Sequence, residues 1–116
     1  MSYDVYFCDP VSKEKIELNE PHFMRGGTYA VGGTTQLWLN ITYNYYKNYH
    51  PHNFSINDLD GKTAIDVISE LERVISELGD EVDPDYWKPT DGNAKKALIQ
   101  LLTMCKMRSD AVIDVQ

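Results

Sequence analysis

Two Gly-Gly-Thr triplets stand close together, Gly26-Gly27-Thr28 and Gly32-Gly33-Thr34, with Arg25 directly before the first. Glycine reaches positive φ without a steric penalty and lets a backbone come close to an anion, so paired turns of this kind can form N–H nests for a phosphate. The spacing from Gly27 to Gly32 imitates the glycines of a P-loop, but Gly33 stands where that loop needs Lys. A P-loop must also run straight from a strand into a helix, and an NTPase is therefore rejected. Two readings remain: a non-catalytic anion loop, or turns that let adjacent strands change direction.

Soon after, Trp38, Tyr43, Tyr45, Tyr46 and Tyr49 are interleaved with Asn40, Thr42, Asn44, Lys47 and Asn48. Tyrosine and tryptophan join a stacking face to a hydrogen-bonding tip, and asparagine both donates and accepts. The composition suits recognition of a flat polar ring or of a protein surface. In a helix, Asn40 and Asn44 would share one face beside the glycines. The plainer alternative is that half of these rings are core and the asparagines satisfy buried backbone.

Other chemistry has less support. His50-Pro51-His52 lacks a third and fourth metal ligand at fixed spacing. Cys8 falls in a predicted strand and Cys105 on the apolar side of a predicted helix, where a thiol behaves as a small hydrophobe. The carboxylates show no apolar surroundings that would separate an acid from a base. No catalytic residue, metal site or cofactor is expected. Asn40-Ile41-Thr42 and Asn53-Phe54-Ser55 match the glycosylation pattern, which has no consequence in a chain expected to lack a secretory leader.

The elements that must position these residues follow from periodicity. Tyr3 to Cys8 alternates as a strand, Asp9 to Lys13 has turn composition, and Lys15 to Leu18 is expected to return as its hairpin partner. Gln36 to Ile41 reads as a strand, and Thr42 to Tyr49 either continues it or forms a short helix capped by Thr42, with the helix preferred. Ala64, Ile65, Ile68, Leu71, Ile75 and Leu78 mark a helix that Gly79 stops; Ala94, Ala97, Leu98, Leu101, Leu102 and Cys105 mark another, with Thr90 or Asp91 as its cap. Ala111 to Val115 can add an edge strand. The expected fold is α+β, one domain over residues 1–116, with an N-terminal β-hairpin and further short strands packed against two main C-terminal helices.

The net charge of −7 argues against direct nucleic-acid binding, which depends on Lys and Arg. No stretch approaches the roughly 20 apolar residues of a membrane span, and a cytoplasmic protein is expected. Charge is also segregated: ten acids lie between Asp58 and Asp85, whereas Lys88 to Arg108 holds five bases and one acid. The simplest account is two solvated helix faces that attract each other.

The runs Gly26 to Thr34, Leu39 to Tyr45 and Tyr86-Trp87-Lys88-Pro89-Thr90, continuing through Gly92-Asn93-Ala94 to Asp110-Ala111-Val112, resemble a group of small uncharacterised proteins of phages, prophages and other bacterial mobile elements. The resemblance covers most of the chain from Asp4 onward and implies action inside a bacterial host, with countering of host defence as the function that this context suggests. It assigns no residue roles. The leading expectation is a non-enzymatic binding protein that sequesters a small nucleotide-like signal. Gly26, Gly27, Thr28, Gly32, Gly33 and Thr34 would hold its phosphate, Asn40, Thr42, Tyr43 and Asn44 its base and ribose, and Arg25, Lys47 or Lys88 would supply counter-charge. The competing expectation is an inhibitor that binds a host defence protein through its acidic or tyrosine-rich surface. A homo-oligomer is compatible with either.

Overall fold

Strand β1 (Ser2–Cys8) turns Val5 and Phe7 into the core and Ser2, Asp4 and Tyr6 to the other face, the period-two pattern of its sequence. The computed structural model describes residues 1–22 and 34–116. Around β1 lie β2 (Glu17–His22), β3 (Thr34–Gln36), β4 (Trp38–Thr42) and β5 (Val112–Val115). A three-stranded antiparallel sheet has the order β4-β1-β5, and β2 pairs with β3 in a separate two-stranded ladder.

The expected hairpin between β1 and Lys15–Leu18 is reduced to its first rungs. Asp9 shapes the turn, its Oδ1 accepting from the N–H groups of Val11 and Ser12 at 2.9 Å each, and Cys8 bridges Lys15. Beyond Ile16 the chain leaves β1 and becomes β2. The main partners of β1 are instead β4, with Val5 opposite Leu39, and β5, with Phe7 opposite Ile113.

Leu37 explains why the expected strand Gln36–Ile41 is two strands. Its carbonyl accepts from Phe7 N–H at 3.1 Å while its own N–H donates to the Ile16 carbonyl at 2.9 Å, and Ile16 N–H donates to the Phe7 carbonyl at 2.9 Å. One residue thus serves two ladders, and the chain bends there. Leu37 and Ile16 are both buried, which fixes the junction from which the β2–β3 arm leaves the sheet.

Thr42 ends β4 and its Oγ1 accepts from Asn44 N–H at 3.2 Å, capping a 3-10 turn over Tyr43–Tyr45 that continues as α1 (Tyr46–Tyr49). Further short turns lead to Gly61, whose φ of +78° suits the corner before α2 (Ala64–Glu77). Helix α3 (Asp91–Met107) begins at Thr90, whose side chain accepts from Asn93 N–H at 3.2 Å. The α+β fold therefore has α2 and α3 packed with the sheet over one core that includes Val5, Phe7, Leu39, Ile41, Leu71, Leu98 and Leu101. On α2 the buried stripe runs through Ala64, Val67, Leu71, Val74 and Leu78; Ile68 and Ile75 sit at its margin, and Ile65 is 59% exposed. Among the described residues no helix is long and apolar enough to cross a membrane.

Candidate functional site

The connection between α2 and α3 carries Asp80, Glu81, Asp83 and Asp85 together with Val82, Tyr86 and Trp87, and it is held from two sides. From below, Asn93 is 3% exposed in the first turn of α3. Its Nδ2 lies 3.2 Å from the carbonyls of Asp83, Asp85 and Lys88, and its Oδ1 accepts from Asp83 N–H at 3.2 Å. Asparagine alone among small side chains offers both donors and acceptor on one planar group, and burial makes each bond matter because water cannot replace it. Next to it, Gly92 N–H donates to the Glu81 carbonyl at 2.7 Å. A Cβ on Gly92 would stand 2.4 Å from that oxygen, so only glycine lets the loop lie this close.

From the side, the aromatic and asparagine segment grips the same loop. Asn44 Nδ2 donates to the Trp87 carbonyl at 2.8 Å, the Tyr45 hydroxyl to the Tyr86 carbonyl, and Asn48 Nδ2 to the Pro89 carbonyl at 3.1 Å and to Asp91 Oδ1 at 2.8 Å. Asp91 also accepts from Gly79 N–H at 3.1 Å, and these bonds, Asn48 first, hold its carboxyl below the usual range. Tyr49 is fully buried and donates to the Ala94 carbonyl at 2.8 Å; burial pushes the hydroxyls of Tyr45 and Tyr49 far above their ordinary value. They act as neutral donors. The result is a loop whose backbone is tied down at several points while Glu81, Val82, Asp85 and Trp87 are exposed.

A second polar and aromatic group lies on the outer face of the sheet. Tyr6 and Trp38 stack with ring centroids 6.2 Å apart, and Lys15 Nζ sits 3.8 Å above the Tyr6 ring. Asp4 Oδ1 accepts from Trp38 Nε1 at 3.1 Å and from Asn40 Nδ2 at 2.8 Å, and Asn40 Nδ2 also reaches Ser2 Oγ at 2.7 Å.

Comparison with family models, with curated proteins and with solved structures finds no match for this chain. Function therefore has to be read from the geometry.

The sequence-predicted ligand residues divide into three sets. Arg25, Gly26, Gly27, Thr28, Gly32 and Gly33 lie outside the described residues, and Thr34 is described as the first residue of β3. Asn40, Thr42 and Asn44 do not converge: their side chains serve the sheet face, the 3-10 cap and the acidic loop respectively. Tyr43 is 40% exposed and packs edge-on against Tyr3 at 4.4 Å. Among the described residues no group of acidic, His or Cys side chains could hold a metal ion, and His52 instead meets Glu77, with Nδ1 to Oε1 at 3.0 Å. Cys8 and Cys105 are free and buried, and burial pushes the Cys105 thiol up to about 12.

Asn93, Gly92 and Asn48 were missed as site-builders. The available signal was local: a Gly-Asn pair in the first turn of a helix contradicts helix propensity unless something outside the helix needs it.

Proposed function

We propose that this chain is a non-enzymatic binding protein of a phage or mobile element that inhibits a host defence protein through its acidic, aromatic loop. The observation that carries the reading is the pinning of residues 79–90 by Asn44, Tyr45, Asn48, Gly92 and Asn93. Ordering a flexible loop on binding is costly, and a loop already held in place avoids that cost. What it presents is exposed Val82 and Trp87 on a loop that also carries Asp80, Glu81, Asp83 and Asp85, apolar side chains in an acidic segment that suit a basic groove.

Capture of a nucleotide-like signal is the second reading, and it is favoured by the Lys15–Tyr6–Trp38 stack, which offers a cation and ring faces. A phage-protection assay in a host carrying the targeted defence separates the two. Neutralising Asp80, Glu81 and Asp83 and, separately, Trp87→Ala should each abolish protection, while Lys15→Ala and Trp38→Ala should retain it. The opposite pattern, with a nucleotide recovered by mass spectrometry from the heat-treated protein, would replace the loop reading by the ligand reading.

A further inference from the structure

Between the segment 54–62 and the first half of α2 runs a groove of about 340 Å³, lined by the apolar side chains of Phe54, Leu59 and Val67 and by the charged ones of Asp58, Lys62, Asp66 and Glu70. All of its lining comes from these two segments, so the groove has two walls and an open side. A pocket dedicated to a small molecule encloses most of its ligand, whereas a two-walled groove suits one side chain of a larger partner. Both walls are fixed before anything binds. Phe54 packs edge-on against Tyr49 with ring centroids 5.6 Å apart, and Leu59 and Val67 are buried. Ser55 N–H donates to Asp58 Oδ2 at 2.9 Å, while Gly61 N–H donates to the Ile113 carbonyl and Ile113 N–H to the Lys62 carbonyl at 2.8 Å each, which ties the segment to β5. A groove already formed saves the cost of ordering on binding.

Charge selects what enters. Three carboxylates share the lining with one ammonium. Arg73 pairs with Glu70 and, with a smaller contribution from Lys62, holds its carboxyl below the usual range. Lys62 does not close the groove: among the described residues its side chain forms no ion pair with Asp58, Asp66 or Glu70. Asp58 has one oxygen on the Ser55 N–H, and the Asp66 side chain has no hydrogen bond or ion pair among the described residues. Asp66 stands in the first turn of α2, where the helix dipole favours a negative charge but supplies its oxygens with no donor. Asp58 and Asp66 thus keep acceptor capacity beside Phe54, Leu59 and Val67. An alkyl stem that ends in a cation matches both halves of this lining. An anionic head would meet three carboxylates, and an uncharged apolar side chain would strip water from them and return no hydrogen bond.

We propose that this groove takes one arginine or lysine side chain of a partner protein, with its stem along Phe54, Leu59 and Val67 and its cationic head held by Asp58 and Asp66. The groove flanks the opposite end of α2 from the loop at 79–90, and its role is independent of that loop.

The test is an NMR titration of the backbone amides of the full chain with the N-acetyl methylamides of arginine and lysine. The same compounds of norleucine, which keeps the lysine stem without its cation, and of glutamate serve as controls. Arginine and lysine should give saturable shifts in the millimolar range, confined to residues 54–62 and 66–70, and neither control should saturate. Asp66→Asn, at an exposed position, should weaken binding about two- to fivefold with the unfolding midpoint nearly unchanged, and Lys62→Ala, which removes a like charge, should tighten it by a similar factor. No saturable shift with either cation, shifts spread over the whole acidic surface, norleucine binding as well as lysine, or weaker binding in Lys62→Ala would each overturn the proposal.

Discussion

Asn93 and Gly92 concentrate the energetics of the candidate site at two adjacent residues. Asn93→Ala removes every side-chain bond to Asp83, Asp85 and Lys88 at once: Asp83 loses the Asn93 partners of both its N–H and its carbonyl, while the Asp85 and Lys88 carbonyls keep the Lys88 and Thr90 N–H donors. A loss of about 1–3 kcal/mol is expected in urea unfolding, together with faster amide exchange across the loop. Gly92→Ala should cost at least as much, because the new Cβ meets backbone oxygens of Glu81 and Asp80, at 2.4 and 2.7 Å, that cannot rotate away. If Asn93→Ala leaves both stability and loop exchange unchanged, the loop is not held as described. The cysteines give an independent check at the same scale. Only a thiolate reacts readily, so a buried Cys105 with its thiol pushed up to about 12 should resist alkylation at pH 8 in the native protein and react once unfolded. Rapid native labelling of Cys105 would show that α3 opens far more often than its burial implies.

At the scale of elements, the two long helices differ in what holds them. Leu71 is fully buried at the centre of the α2 stripe, so Leu71→Ala should destabilise by about 2–5 kcal/mol in chemical unfolding, whereas Ile65→Ala should change stability by less than about 0.5 kcal/mol. Equal effects would mean that the stripe is misplaced. Both helices were legible in the sequence because an apolar period survives whatever the helix packs on; so were the Thr90 and Thr42 caps and the final strand. The α2 stripe was read one flank off, since Ile65, Ile68 and Ile75 are as apolar as Val67 and Val74 and only the position of α3 decides between them. The break at Leu37 was not legible, because it arises from the pull of Phe7 and Ile16, which are distant in sequence. The tasks of Asn44 and Asn48 were hidden for a similar reason: their acceptors belong to residues 87–91, brought there by the start of α3.

For the whole molecule, the carboxylates that join separate parts of the chain share one direction of shift. Glu77 is held low first by His52 and then by Arg73, linking α2 to the turn after α1; Asp9 is held low by the Ser12 and Val11 N–H groups and lies 3.6 Å from Arg108; Asp91 joins α1, α3 and the end of α2 through Asn48 and Gly79. A carboxyl whose folded pKa lies below its unfolded value binds fewer protons in the native state than in the unfolded one. Stability then rises with pH through that window, is fully present above about pH 4.3, and is lost as pH falls through the folded values. The urea midpoint should therefore be level from pH 7 to 5 and drop steeply below pH 4. Asp91→Asn should make that drop shallower, because the amide can still accept from Gly79 and has no proton to gain. A midpoint that stays constant down to pH 3, or an acid limb of the same steepness in Asp91→Asn, would remove Asp91 from the set of groups that couple protonation to folding.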